Sequence, residues 1–332
     1  MINRIDLNEK DFLDEVKQIT AAFSEVLSIQ NVEPTDNFFQ LGGDSFDAIR
    51  VMSKLDGDLH VVTLFENPTA DLLAKYRFYK TEEHRARLVS LNNSSKKNGS
   101  VAVICVPFGG GDPTAYKSLF SNKENVNVYG VDFGDIEIEN ALGFSGLVDV
   151  LVTEIKKIDA DQFVIYGHCA GAATAACIAS ALKSVIHSVS LVVAAARPIV
   201  DSKDAITQCK KTSDDEWSQY LRSLGAFAGL AEVETRGMLR RGRRDHMIAI
   251  EAYRSLTDKP ADKVPTLVLL GDNDPVTVES KQVIDQWQAF SQVVRSASLV
   301  DAGHYFIRTH VSEVTDAVLN FMEQYKKRGR AE

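Results

Sequence analysis

Long apolar runs are absent from this 332-residue chain: stretches such as SLVVAAA (190–196) are far shorter than a membrane helix requires. The N-terminus, MINRIDLNEKDFLDEV, carries charges where a signal peptide has an apolar segment. Basic residues are in deficit, and the formal net charge of -9 argues against nucleic acid as the main ligand. We therefore expect a soluble cytoplasmic protein with neither a membrane nor a nucleic-acid partner.

Cysteine is also scarce. Four cysteines in a chain of this length do not suggest a disulfide framework, and a reducing cytosol would keep their thiols free. With 45% hydrophobic residues the chain can bury a substantial core, and its length suits two domains. No internal repeat is visible, and no residues are assigned as metal ligands.

Residues 1–80 lack a strand pattern. Apolar residues recur at helical spacing over 8–27, after FFQLGGDS, and again in TADLLAKYRFY, so this block predicts a small helix bundle. It contains 8 Lys/Arg against 14 Asp/Glu, a net charge of -6, and thus holds most of the chain's acidity. Residues 81–100 turn polar and predict a linker that, if flexible, spans about 25 Å.

From residue 101 to 332 the pattern changes. Short apolar runs alternate with amphipathic helical stretches, which predicts an α/β domain with a mostly parallel sheet. The predicted strands are 101–108, 127–133, 162–167, 190–196, 266–271 and 297–302. Residues 201–260 contain several helix-like segments without a clear strand, and there we expect an inserted lid.

The stretch LGGDS (41–45) places Ser45 at the start of a predicted helix. One interpretation is a turn followed by an ordinary helix cap. The wider segment FFQLGGDSFDAI, however, resembles the attachment motif of peptidyl or acyl carrier proteins. That resemblance implies a four-helix carrier domain in which a phosphopantetheinyl transferase attaches 4′-phosphopantetheine to Ser45.

The stretch YGHCAG (166–171) follows the predicted strand QFVIYG and precedes an alanine-rich helix. This is the context of a nucleophile elbow, with Cys169 as the nucleophile and the Ala170 N–H as an oxyanion donor. The alternative is a buried cysteine in a tight turn, a description that suits Cys105 and Cys177 better.

A thiol nucleophile needs a base and a residue to orient that base. His304, in AGHYF, follows a predicted strand near the C-terminus, and GDNDP offers Asp272 and Asp274. The order nucleophile, acid, histidine is that of α/β-hydrolases. Asp274 better matches the acid position, whereas Asp272 could cap the turn. His168 lies on the wrong side of the elbow to act as the base.

The first strand of the second block ends in VPFGGGDP. In this fold the loop after that strand supplies the second oxyanion donor, and Phe108 and Gly109 are both candidates. A phosphate-binding loop is the rival interpretation, but neither G-x-G-x-x-G nor GK[ST] is present.

Together, PFGGG, GHCAG, LVVAAARP, GDNDP and AGHYF resemble the thioesterases of nonribosomal peptide and polyketide synthesis, and RRDHMIAIEAYRSL resembles the helix that closes their lid. The resemblance implies an α/β-hydrolase fold with a helical lid. It also implies a terminal carrier–thioesterase pair that works with upstream condensation and adenylation domains. An acyl or peptidyl thioester would move from the carrier to Cys169, for release by cyclisation, aminolysis or hydrolysis. The family usually carries serine at this position.

Several alternatives remain at this point. The domain could be an editing hydrolase that clears stalled groups, an acyltransferase serving another acceptor, or a non-catalytic carrier-binding module. Cys169 could serve a difficult release step, be merely tolerated, or be an engineered replacement of serine that traps an acyl intermediate. The arginine-rich stretch RGMLRRGRR (236–244) could dock the acidic carrier or be a solvated helix face.

Overall fold

Four helices form the described part of the N-terminal unit: α1 (Glu9–Leu27), α2 (Ser45–Leu55), α3 (Val61–Glu66) and α4 (Ala70–Tyr79). The apolar spacing predicts α1, α2 and α4, whereas a fourth helix is implied only by the resemblance to carrier proteins. The computed structural model describes residues 9–55, 60–79, 85–92, 100–134 and 143–328. The helices enclose their own apolar core, in which the ring centroids of Phe23 and Phe38 lie 4.8 Å apart. Residues 229–237 also cluster with this unit.

A seven-stranded sheet forms the frame of the second unit among the described residues. Its strands are β1 (Arg87–Ser90), β2 (Val101–Val106), β3 (Val126–Asp132), β4 (Gln162–His168), β5 (Val189–Ala194), β6 (Ala261–Gly271) and β7 (Ser291–Leu299). Their spatial order is β1-β3-β2-β4-β5-β6-β7, and every pairing is parallel except that of β1 with β3. The strands β2 and β5 are buried along their whole length, which explains their continuous apolar sequences.

Helices connect the strands. They are α5 (Gly143–Ile155), α6 (Gly171–Lys183) and α10 (Ser280–Gln288), while α11 (Phe306–Thr309) and α12 (Val311–Arg328) follow the last strand. Between β5 and β6 lie α7 (Ser202–Lys211), α8 (Asp214–Ser223) and α9 (Glu232–Asp258), which confirm the predicted helical insertion. None of the helices that the structure describes has both the length and the apolar composition that a bilayer crossing requires.

The winding of the sheet positions the candidate site. The chain passes from β2 outward to β3, then crosses back to β4 on the other side of β2, so the winding direction reverses beside β2. Parallel α/β sheets open a crevice at the carboxyl ends of the strands at such a point. The loop after β2 and the turn after β4 meet there, which brings together the PFGGG and GHCAG motifs.

Two sequence expectations need correction. Residues 87–90 lie within the predicted linker but form β1, where Arg87 pairs with Asp132 of β3 at 3.4 Å. A four-residue edge strand is too short for periodicity to reveal, and its pairing partner lies some 40 residues away. Residues 81–84 and 93–99 of that linker lie outside the described residues. The last strand begins at Ser291, well before residue 297, because its alternating exposed and buried residues form a half-buried edge strand.

Candidate active site

The turn after β4 holds Cys169 in a conformation that few residues other than glycine adopt. Its φ is +51°. The Cys169 N–H donates to the Ala194 carbonyl at 2.8 Å, and its carbonyl accepts from the Ala172 N–H at 3.1 Å. The flanking glycines are required, because a Cβ on Gly171 would overlap the Val106 carbonyl oxygen and one on Gly167 would lie 2.6 Å from the Ala172 Cα. This geometry is that of a nucleophile elbow.

The structure brings Cys169, Asp274 and His304 together, although they follow three different strands. His304 Nδ1 lies 3.0 Å from each carboxylate oxygen of Asp274. Nε2 of the same ring is buried and has no nitrogen or oxygen partner among the described residues, while the Cys169 thiol interacts with that ring. Since Nδ1 is directed to the carboxylate, Nε2 is the nitrogen that faces the thiol.

The electrostatic environment of His304 favours its protonated, imidazolium form. Burial by itself lowers the pKa of His304, but the negative charge of Cys169 and the hydrogen bonds to Asp274 and Cys169 outweigh burial and raise that pKa to about 10. For Asp274, burial acts to raise the pKa. Hydrogen bonds from His304, the Val276 N–H and the Thr277 hydroxyl overcome that effect and hold the pKa below its ordinary value. The site therefore stabilises an imidazolium beside the Asp274 carboxylate.

Among the described residues, Asp272 does not cap its own turn, the role that the sequence suggests for it, but bonds to a distant loop. Its carboxylate accepts the Ala302 N–H at 3.2 Å, which ties the turn after β6 to the loop before His304. Both aspartates of GDNDP thus support the histidine loop, but only Asp274 contacts the imidazole. The turn geometry, which the sequence does not reveal, makes this distinction.

His168 is buried and supports the histidine loop. Its Nε2 lies 2.8 Å from the His304 carbonyl oxygen, so Nε2 donates and Nδ1 accepts from the Tyr166 hydroxyl at 3.3 Å. Burial lowers the pKa of His168 to about 3, so the ring is neutral at physiological pH. His168 is not placed to act as the base, in agreement with its predicted position, but its supporting bond to His304 was not foreseen.

The loop after β2 lies beside the elbow. The Phe108 N–H interacts with the Tyr116 hydroxyl, and the Gly110 and Gly111 amides each have an acceptor. No acceptor for the Gly109 and Ala170 amides is found among the described residues. Both residues line the cavity that contains Cys169. Of the two candidates in this loop, Gly109 therefore has the amide that is available to a substrate oxygen.

A cavity of about 190 Å³ opens beside Cys169. Small residues form the part near the elbow, and aromatic residues of the lid helices form the opposite part. Its principal side-chain walls are Ala195, Ala196, Arg197, Ile199, Trp217, Tyr220, Leu221, Leu224, His246, Ala249, Tyr253, Val276 and Tyr305. Sequence reasoning did not find these residues, because they converge from separate lid helices and loops.

The remaining cysteines and the arginine-rich stretch are largely accounted for by packing. Burial raises the pKa of Cys105, and raises that of Cys177 to about 12, as expected of core thiols. Within 236–244, Arg243 donates to Asp214 and to the Thr212 carbonyl, and Arg244 pairs with Asp245. Arg243 and Arg244 are thus engaged with neighbouring groups, and the stretch is not a uniform docking face.

Ser45 lies exposed at the first position of α2. Asp44, not Ser45, caps this helix: its Oδ1 accepts the N–H groups of Phe46 and Asp47 at 2.8 and 2.9 Å. The Ser45 hydroxyl makes no hydrogen bond among the described residues. An exposed, unengaged hydroxyl at a helix N-terminus fits a phosphoester, because the first amides of the helix favour an anion there.

Family models match both the helical N-terminal unit and the α/β unit that follows it. Residues 17–77 match the family model described as "Phosphopantetheine attachment site", and residues 102–324 match "Thioesterase domain". Tyrocidine synthase 3 of Brevibacillus parabrevis is 29% identical over 35% of this chain and 2% of its own length. Indigoidine synthase of Streptomyces lavendulae is 26% identical over 48% of this chain and 13% of its own. The chain spans only a small part of these curated relatives.

Two solved structures share the fold of the second unit. ClbQ from the colibactin pathway is 16% identical with a TM-score of 0.53, over 68% of this chain and 98% of its own. YbtT, a type II thioesterase from the yersiniabactin pathway, is 19% identical with a TM-score of 0.53. The match covers 70% of this chain and 97% of YbtT. The attachment-site match implies a covalently attached 4′-phosphopantetheine. The chain therefore belongs to the thioesterase domain family and carries a phosphopantetheine carrier domain in front of its α/β-hydrolase-like domain.

Proposed function

We propose that the chain releases an acyl or peptidyl product in nonribosomal peptide or hybrid polyketide synthesis, with Cys169 as nucleophile, His304 as acid and base, and Asp274 as the orienting carboxylate. One observation carries the proposal. Cys169 sits in an elbow at φ +51° beside an imidazole that Asp274 holds at 3.0 Å, in the same chain as a carrier domain.

Ser45 is the residue that would hold the 4′-phosphopantetheine. When attached, this group supplies a thiol on a long arm that carries the substrate as a thioester. The protein contributes the exposed Ser45 hydroxyl and the N-terminal amides of α2, with Asp44 occupied in capping the helix. A phosphopantetheinyl transferase and upstream condensation and adenylation domains are the partners that this arrangement requires.

The first half of the reaction forms an acyl-enzyme. The Cys169 thiolate attacks the thioester carbonyl, and the developing oxyanion is placed to accept hydrogen bonds from the Gly109 and Ala170 amides. When the carbon–sulfur bond to the leaving thiol breaks, the proton on His304 Nε2 passes to that thiol. The acyl group is then on Cys169, and His304 is neutral. The carboxylate of Asp274 favours the protonated ring before this step.

The second half uses the same residues in reverse. Neutral His304 takes a proton from water or from a nucleophile within the substrate, which attacks the acyl-Cys169 carbonyl and expels the thiolate. Transfer between thioesters is close to neutral in free energy, so the acyl group remains activated on cysteine, whereas transfer to serine would run downhill to an ester. We propose that this activation serves a demanding release step, such as amide formation or closure of a strained lactone.

The cavity beside Cys169 supports a compact acyl group next to the thioester. Its volume of about 190 Å³ exceeds the roughly 150 Å³ cavity that accommodates benzene in an engineered protein. Alanine and leucine side chains with lid aromatics offer mainly apolar contact. A residue-sized apolar or aromatic acyl group would fill this space, and the rest of a longer chain would lie outside it.

The proposal is tested by loading Ser45 with acyl-pantetheine groups through a phosphopantetheinyl transferase and following the acyl mass on the intact protein and its peptides. Wild-type protein should pass the acyl group from the Ser45 peptide to the Cys169 peptide and then release it. Cys169→Ala should keep it on Ser45, and Ser45→Ala should not load. Release from Cys169→Ala at the wild-type rate would contradict the assignment of the nucleophile.

Analysis of the released product separates the release chemistries. A cyclic or amide product from wild type, with more free acid from Cys169→Ser, supports the special role of the thiol. Unchanged product distribution and rate in Cys169→Ser would overturn that role. Rapid hydrolysis of small, misloaded acyl groups alone would favour the editing alternative, and transfer to an added acceptor would favour an acyltransferase.

A further inference from the structure

The glycine loop after β2 has a hydrogen-bond partner on the lid helix α9. The Gly110 N–H donates to Asp245 Oδ2 at 2.9 Å, and the next amide, of Gly111, donates to the Phe108 carbonyl at 2.7 Å. The Phe108 N–H interacts with the Tyr116 hydroxyl, and Phe108 is not among the residues that line the cavity. Gly109 lines the cavity, and no acceptor for its amide is found among the described residues.

Asp245 is well fixed. Its side chain is only 2% exposed. Oδ2 accepts from the loop, while Oδ1 accepts from Arg244 Nε at 3.1 Å and Nη2 at 2.9 Å. Arg244 also donates to the Gly134 carbonyl after β3. A buried carboxylate is tolerated when it is paired in this way, and the pairing also offsets its negative charge near a developing oxyanion.

The loop also has little freedom to move away from α9. Gly110 has a φ of +71°, and a Cβ there would overlap the Met238 carbonyl oxygen of that helix. A Cβ on Gly109 would lie 3.5 Å from the Gly242 carbonyl oxygen and 3.7 Å from the Ala170 Cβ. The loop backbone thus lies between α9 and the elbow, so the position of α9 determines the position of the Gly109 amide.

We propose that Asp245 is a positioning residue for the oxyanion hole: by holding the Gly110 amide, it directs the Gly109 N–H toward the acyl carbonyl on Cys169. The bond also makes the oxyanion hole dependent on the lid, because α9 must lie over the cavity for Asp245 to reach the loop. Acyl transfer is then efficient only with the lid helix in place. This inference rests on the proposed function.

The experiment compares two reactions of Cys169 in the full-length chain. Acylation by the butanoyl thioester of N-acetylcysteamine passes through an oxyanion, whereas alkylation by iodoacetamide displaces iodide and needs no oxyanion hole. Asp245→Ala should lower the ratio of acylation to alkylation rate by about 10- to 100-fold, less than the complete loss of a donor. The alkylation rate should stay within twofold of wild type. Peptide mass spectrometry assigns both products to Cys169.

Two further variants keep the test decisive. Asp245→Asn retains an oxygen for the Gly110 amide but loses the pairing with Arg244, so the ratio should fall about three- to tenfold. If Asp245→Ala does not fold, the Asp245→Asn variant alone provides the test. Arg243→Gln is the matched control, because Arg243 lies on the same helix but bonds to Asp214 and the Thr212 carbonyl. It should leave the ratio unchanged.

The outcomes separate this inference from the proposed function. Ratios within twofold of wild type in the folded Asp245 variants would overturn the inference and leave the proposed function standing. An equal fall in Arg243→Gln would also overturn it, because the effect would then come from general loosening of the lid. If wild-type Cys169 is alkylated but never acylated, the proposed nucleophile and this inference fail together.

Discussion

The LGGDS turn and the GHCAG elbow each place a nucleophilic side chain at the start of a helix, but they prepare it in different ways. Ser45 is exposed, its turn is held by the Asp44 cap, and its hydroxyl is unengaged among the described residues. Cys169 lies at φ +51° beside a buried imidazole and a cavity. The serine is open to solvent, whereas the cysteine has an imidazole beside it, and this difference is what the two proposed roles require.

Substitution of Asp274 should have the largest effect, and it should affect the reaction at Cys169 but not the modification of Ser45. Asp274→Asn keeps the shape of the side chain but removes the charge that favours the His304 imidazolium. Acyl transfer through Cys169 should fall by about two to four orders of magnitude. The pKa of His304 should fall as well, and the upper pH limit of acyl transfer should move down with it, because the leaving thiolate takes its proton from His304. Stopped-flow or quenched assays with a soluble thioester measure both effects.

Modification of Ser45 provides the control for that variant. The rate at which a phosphopantetheinyl transferase modifies Ser45 in Asp274→Asn should equal that of wild type, because the triad takes no part in it. A parallel loss at both sites would show that the variant damages the whole protein rather than the elbow.

Glycine substitutions compare the tightness of the two turns. In Gly171→Ala the new methyl group would meet the Val106 carbonyl, which is backbone of the central strand β2. In Gly43→Ala it would meet the Phe38 ring, which is a side chain. Gly171→Ala should destabilise its domain by about 3 kcal/mol and Gly43→Ala by about 1–2 kcal/mol. Urea unfolding of each domain gives the values, and the opposite order would contradict the stricter packing of the elbow.

A pH series tests the buried support of the elbow. His168 has a pKa lowered to about 3 by burial, so below pH 6.5 the unfolded chain takes up a proton that the folded protein does not. Stability is unaffected above that pH and is lost as the pH falls toward 3. At pH 5 the loss should be about 2 kcal/mol relative to pH 7, and His168→Gln should lack this part of the dependence.

The fluorescence of the two tryptophans makes that measurement selective. Trp217 and Trp287 both lie in the thioesterase domain, so urea unfolding followed by tryptophan emission reports on that domain alone. Identical pH dependence in wild type and His168→Gln would show that the ring is protonated, or solvated, in the folded protein.

The smallest effect is expected at the carrier turn. Asp44→Ala removes the cap of α2 and should cost about 1 kcal/mol of carrier-domain stability. Asp44→Ser, which can still cap, should recover most of it. Hydrogen exchange of the first α2 amides measures the loss, and the thioesterase activity on a soluble thioester should not change. No faster exchange at α2 would mean that Asp44 does not cap the helix in solution.

How far the sequence predicts the site depends on the range of each interaction. The elbow was predictable because Gly167, Cys169 and Gly171 act within one turn, where local sterics determine the backbone. The sequence could not predict whether Phe108 or Gly109 supplies the second oxyanion donor, because that depends on contacts of this loop with Tyr116 and Asp245. The edge strand β1 escaped notice for the same reason, because its pairing with β3 is long-range.

The sequence by itself determined the order of helices and strands apart from the edge strand β1, the two nucleophile motifs, and the chain order of cysteine, aspartate and histidine. These features follow from periodicity and turn chemistry, which act between neighbouring residues. The sequence favoured Asp274 over Asp272, but only the tertiary structure placed the Asp274 carboxylate 3.0 Å from His304 and tied Asp272 to Ala302 instead. The tertiary structure also showed that His168 supports the histidine loop and that Asp245 holds the glycine loop. Those bonds join residues more than 25 positions apart, and only the folding of the sheet and lid brings them within hydrogen-bonding distance.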